Sequence, residues 1–145
     1  MPSLQSSSSL IIDSLNQVLR LLCRGLPAYV SEIKPWTDSR HEPIRKALAD
    51  LSADQERYAH RLANAIVQQG GHPDPGSFPL EYTGLNDVSL EYLAHDLVVM
   101  LQADAEVLEI LSDQLADHHS MHALCEEILG NTKGHAEILE KVVGG

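Results

Sequence analysis

The sequence predicts an all-α chain made of two helical hairpins joined by one long connection, and three observations carry that reading. Apolar residues recur in alternating steps of three and four along four separate stretches, the spacing that lines one face of a helix. Aromatic residues make up only 4% of the chain, while Leu, Ala, Ile and Val supply most of its apolar content. The stretches are separated by two short breaks, at 34–38 and 117–120, and one long Pro- and Gly-containing segment, at 70–86. At 145 residues the chain suits a single core. The expectation is a Ser-rich, frayed tail over 1–7 and one bundle over 8–145.

The first helix is expected over 8–33, with Ile11, Leu15, Val18, Leu22, Leu26, Tyr29 and Ile33 on its buried stripe. Pro27 lacks the amide hydrogen that would bond the Cys23 carbonyl, so a kink is expected at 24–27. Pro35 disfavours helical geometry at Lys34 and closes the helix. Ser39-Arg40-His41-Glu42 has the form of a capping box, with Pro43 in the first turn of a second helix that Gly70-Gly71 stops. The seam of that helix reads Ile44, Leu48, Leu51, Gln55, Tyr58, Leu62, Ala65.

The connection that follows carries Pro73, Pro75 and Pro79, with Phe78, Leu80 and Tyr82 available to pin it. Seventeen extended residues reach roughly 56 Å, and a 27-residue helix is about 40 Å long, so the connection can cross the whole bundle. The second and third helices would then run parallel. The third helix, over 88–116, has the seam Leu90, Ala94, Leu97, Leu101, Asp104, Leu108, Leu111, Leu115. The fourth, from about His118 to the C-terminus, has the seam Met121, Cys125, Ile128, Thr132, His135, Leu139, Val142.

Charge is uneven. The formal net charge is −11, and between Arg61 and Lys133 no Lys or Arg offsets twelve acidic residues. Nucleic acid is therefore not an expected partner. No apolar run is long enough for a membrane span, and residues 1–9 lack the basic and apolar parts of a secretion signal, so a cytoplasmic chain is expected. Cys23 and Cys125 match no paired metal spacing and make no disulfide framework; buried thiols are the default. Arg45, Lys46, Arg57 and Arg61 on the second helix could meet the acidic third helix of another copy, which gives a homo-oligomer or a protein partner as the expected association.

Polar residues interrupt the seams at one depth. Asp104 lies 14 residues before His118 and Thr132 lies 14 after it, so in an antiparallel pair they face each other. Gln55 and Tyr58 hold the matching place in the other hairpin. The expected arrangement is a hydrogen-bonded layer of Gln55, Tyr58, Asp104, Thr132 and His135, in which Asp104 accepts from His135, because an unsatisfied member would cost about 1 to 3 kcal/mol. Glu56 and His60 fall one step off the seam and should face outward. A second cluster, His118, His122 and Cys125 at the turn, has a spacing that could converge on a transition metal. Gly130 and Gly134 share a face, which suggests a close crossing against the kinked first helix. No Ser/His/Asp constellation, phosphate loop or cofactor fingerprint is present, so no catalytic residue is assigned.

Two hairpins, a long crossover and a polar-x-x-polar pair in the second helix of each hairpin together resemble the ferritin-like superfamily, of the rubrerythrin and bacterioferritin type. That family places a Glu on each first helix and Glu-x-x-His on each second helix around two metal ions. Carried across by position, His135 matches a ligand His, Asp104 stands for the third-helix carboxylate, Thr132 and Gln55 occupy Glu positions, Tyr58 occupies the other His position, and the first helix offers Leu22, Gly25 or Leu26. Iron and manganese need anionic oxygen bridges that Thr and Gln cannot supply. The resemblance therefore implies a bundle degenerate in its di-metal ligands, without oxidase or storage chemistry and with no resident cofactor. The alternative is a transition metal held by Asp104 and His135 or by the turn histidines.

Overall fold

A computed structural model describes residues 4–24, 42–76 and 90–144. The expected kink at Pro27, the closure at Lys34-Pro35, most of the capping box and the pinning residues Phe78, Leu80 and Tyr82 lie outside them. Four helices are described: α1 (Leu4–Arg24), α2 (Glu42–Gln68), α3 (Leu90–Gln114) and α4 (His119–Gly144). Among the described residues there is no strand, and no helix is long and apolar enough to cross a membrane. The backbone of α1 is helical from Leu4, four residues before the expected start, because serines carry only a small helix penalty and nothing in 4–8 forbids the conformation.

The seams bury as their spacing requires. All seven predicted residues of α2, from Ile44 to Ala65, are buried, Gln55 included. In α1, Leu15, Val18 and Leu22 are buried and Ile11 is partly so. In α3 the apolar seam residues from Ala94 to Leu115 are buried, joined by Leu93, Ala105 and Ser112.

Helix directions follow from which ends meet. Cys125 of α4 bonds the Leu108 carbonyl of α3, and His122 reaches Ser112, so α3 and α4 form an antiparallel hairpin. Gly71, just past α2, lies against Ile12 of α1, and Ser14 of α1 bonds Gln114 at the end of α3. Arg61 pairs with Glu127 and Asp54 with His135, so α2 also runs antiparallel to α4. It follows that α2 and α3 are parallel.

Two apolar clusters fill the interior. One joins Leu15 to Leu22 of α1, Tyr58 to Ile66 of α2, Ala105 to Leu115 of α3 and Met121 to Leu129 of α4. The other joins Ile44 to Leu51, Leu93 to Leu101, and Ala136 with Leu139.

The end of α2 is built closely. Gly70 takes φ 87°, which a side chain would strain; its amide bonds the Val67 carbonyl, and the Gly71 amide bonds the Ile66 carbonyl, closing the helix in a Schellman turn. A Cβ at Gly71 would sit 2.7 Å from Ile12 Cγ2, so a side chain there would force Ile12 to move. Asn16, buried on α1, donates to the His72 carbonyl and accepts from the Asp74 amide, and Arg20 pairs with Asp74. This clasp was not foreseen; Asn16 lies beside the seam residue Leu15, and nothing in its spacing marks it.

Candidate functional site: the mid-bundle polar layer

The predicted polar residues fall where the two apolar clusters meet. Gln55 lies between Leu51 and Tyr58, Asp104 between Leu101 and Ala105, and Thr132 between Leu129 and Ala136, each flanked by a member of either cluster. The depth obtained by counting from the turn is therefore the depth observed. The expected bond between Asp104 and His135 is not made. His135 Nε2 lies 2.7 Å from Asp54 Oδ2, on α2 rather than α3.

Asp54 is the centre of this contact. The same oxygen accepts from Asn131 Nδ2 at 2.8 Å, and Arg57 lies 3.2 Å from the other carboxylate oxygen. The hydrogen bonds from Asn131 and His135, in that order, hold the Asp54 carboxyl below its ordinary value. A carboxylate has no hydrogen to give, so His135 Nε2–H is the donor. The His135 side chain is 10% exposed and Asp54 30%, which places the pair at the edge of the core. Asn131 and His135, four residues apart on α4, form two donors converging on one acceptor.

Asp104 stands apart. Burial pushes its carboxyl up to about 6, and among the described residues no hydrogen bond or ion pair lowers it. Gln55 and Thr132 are buried at 7% and 5% exposure, and Gln55 Oε1 has no partner among the described residues. The layer is thus a bonded Asp54-Asn131-His135 group at one edge with neutral or charge-averse groups inside.

Tyr58 is turned elsewhere. Its ring is buried under the Arg57 and Arg61 guanidinium groups, 4.9 and 5.4 Å from the ring centre. Burial, then the hydrogen bond to Glu127, raises its hydroxyl above the ordinary value. Its oxygen therefore belongs to a surface group with Glu127 and Arg61, and it does not complete the layer. Leu22, the first-helix position, is an ordinary core residue, and Glu56 and His60 face outward as expected.

At the turn, the fully buried Ser112 donates to Glu126 Oε1 at 2.6 Å, and His122 Nδ1 donates to the Ser112 carbonyl at 2.9 Å. Cys125 Sγ donates to the Leu108 carbonyl, and burial, with the Glu126 charge, pushes its thiol up to about 11, far from the thiolate a metal needs. Among the described residues no three His, Cys, Asp or Glu side chains are placed to hold a metal ion. The glycine expectation is not met within the described residues: a Cβ at Gly130 or Gly134 would meet nothing among them within 4 Å, and the kinked part of the first helix lies outside them.

Asp54 and Asn131 were missed because each lies one step off a seam. The available signal was the i, i+4 spacing of Asn131 and His135, two side chains that can share one acceptor on an adjacent helix. Comparison of the chain with protein-family models, curated proteins and solved structures returned no match.

Proposed function

We propose that the chain is a ferritin-like bundle whose mid-bundle layer is structural, and that it acts as a protein-interaction or scaffolding module. One observation carries this reading: the residue in the ligand-histidine position, His135, commits Nε2 to Asp54, while the neighbouring ligand positions hold the neutral Gln55, Thr132 and Tyr58. A di-metal centre needs several convergent carboxylates to offset its charge. The ferritin-like topology is supported by the parallel α2 and α3, since α2 ends at the end of the bundle where α3 also ends.

A second reading, a transition metal at mid-bundle, draws on the unbonded Asp104 carboxyl and the orphaned Gln55 oxygen. Metal analysis of protein purified without an affinity tag, combined with sedimentation equilibrium, separates the two. The module reading expects less than one tenth of a metal ion per chain and a mass above that of the monomer, or a co-sedimenting protein. A monomer carrying one or two metal ions per chain overturns it.

A further inference from the structure

The outer face of α3, turned away from the core, carries an apolar stripe that stays exposed. Val99 and Ile110 are 63% and 60% exposed, Val107 is also exposed, and Ala103 lies between them on the same face. The spacing 99, 103, 107, 110 keeps these residues within one side of the helix. Asp96, Glu106 and Asp113 fall on the same side, so the face alternates apolar and acidic along its length.

No Lys or Arg exists anywhere in α3, and among the described residues none of Asp96, Glu106 and Asp113 enters an ion pair. Beside the stripe runs a groove of about 380 Å³ between α3 and α4, lined by Glu106, Glu109, Glu137 and Glu140 with Lys133 as its one cation. Apolar residues on an exposed helix face mark a contact surface, and the surrounding charge selects what can make the contact.

A second copy does not fit by that measure. Pairing α3 with α3 would set acidic residues against acidic or apolar ones. The cations of α2 are largely engaged within the chain, Arg45 with Glu42, Arg57 with Asp54 and Arg61 with Glu127. The complement of the face is a helix with an apolar stripe and Lys or Arg on both flanks.

We propose that the outer face of α3 and the adjoining acidic groove dock a basic amphipathic helix of a partner protein. This rests on the interaction-module reading and adds the surface and the chemistry of the partner. The stripe supplies burial, and the carboxylates set orientation and salt dependence.

The test uses the full chain and a synthetic 21-residue helix with leucines along one face and lysines on both flanks, alongside a counterpart with Glu for Lys. Binding is followed by fluorescence anisotropy at physiological salt, and the site is mapped by amide NMR shifts. The expected result is saturable 1:1 binding of the lysine helix, shifts centred on 96–113, and no binding of the Glu helix. Val99→Ser with Ile110→Ser, which leaves every charge in place, should weaken binding by about tenfold to a hundredfold, the loss of burying two side chains of this size. Glu106→Gln with Asp113→Asn should weaken it less and reduce its salt dependence.

Binding unaffected by the Val99 and Ile110 changes would show general attraction to an acidic protein and would overturn the proposal. So would absence of binding, shifts on another face, or self-association mapped to α3. Because these substitutions are at exposed positions, unaltered circular dichroism and thermal melts confirm that the variants fold. Failure with a non-monomeric, metal-free chain leaves the module reading standing; stoichiometric metal removes that reading whatever the peptide does.

Discussion

Replacing Asp104 with Asn removes a charge that the fold holds in an unfavourable place, and the size of the effect can be worked from its titration. In the unfolded chain the carboxyl titrates near 3.8; in the fold, burial pushes it up to about 6. Above pH 6 both states are ionised and the folded state bears the full cost of the buried charge. A displacement of about two pH units at about 1.36 kcal/mol each sets that cost at about 3 kcal/mol, and partial solvent access reduces it to about 2. Below about pH 3.8 both states are protonated and the cost vanishes. The contribution of Asp104 to stability therefore improves as pH falls from about 6 to about 4, opposite to Asp54, Asp74 and Glu127, whose lowered values make them lose stabilisation on acidification.

Urea melts of the wild type and Asp104→Asn at pH 7 and pH 4 isolate the term. With an m-value of about 1.5 kcal/mol/M the variant should gain roughly 1 to 1.5 M in midpoint at pH 7, and the gain should fall to near zero at pH 4. A variant less stable than the wild type at pH 7, or a difference that does not change with pH, would refute the reasoning and show that Asp104 has a favourable partner, as the sequence alone suggested.

Asp54→Asn should destabilise by about 1 to 2 kcal/mol at pH 7, because it replaces a charge-assisted acceptor of two hydrogen bonds, and its loss should be non-additive with His135→Leu but additive with Asp104→Asn; denaturant melts of the single and double variants measure this. Gly130→Ala and Gly134→Ala should each raise stability by about 0.5 to 1 kcal/mol, since an added methyl meets nothing within 4 Å among the described residues. Gly71→Ala should lower stability, because its methyl would collide with Ile12, and the same thermal melts read all three. Cys125 should react with iodoacetamide at pH 7.5 only on the timescale of unfolding, as checked by mass spectrometry in native buffer and in urea, given its burial and a thiol pushed up to about 11.

Helical class, element order and the buried seams were legible because they depend on one-dimensional spacing. The seven α2 positions from Ile44 to Ala65 needed only the alternation of three and four. The depth of Gln55, Asp104 and Thr132 was legible for a similar reason, since the rise per residue converts a count from a turn into a height. What a count does not contain is azimuth. His135 lies on the flank of the α4 seam that faces α2, so it meets Asp54 and not the Asp104 of its own hairpin. The same limit hid Asn16, whose side chain is drawn in by the backbone of residues 72–74 after α2. Gly130 and Gly134 differ: small residues on one face permit close approach without requiring it, and among the described residues no helix makes use of the space.

The most direct test of the central claim, that the mid-bundle layer is structural and holds no di-metal centre, is aerobic addition of two equivalents of ferrous iron to the metal-stripped, untagged chain, followed optically and then by iron analysis after desalting. The expected result is oxidation no faster than in protein-free buffer and no iron retained. Rapid oxidation with two irons retained per chain would contradict it.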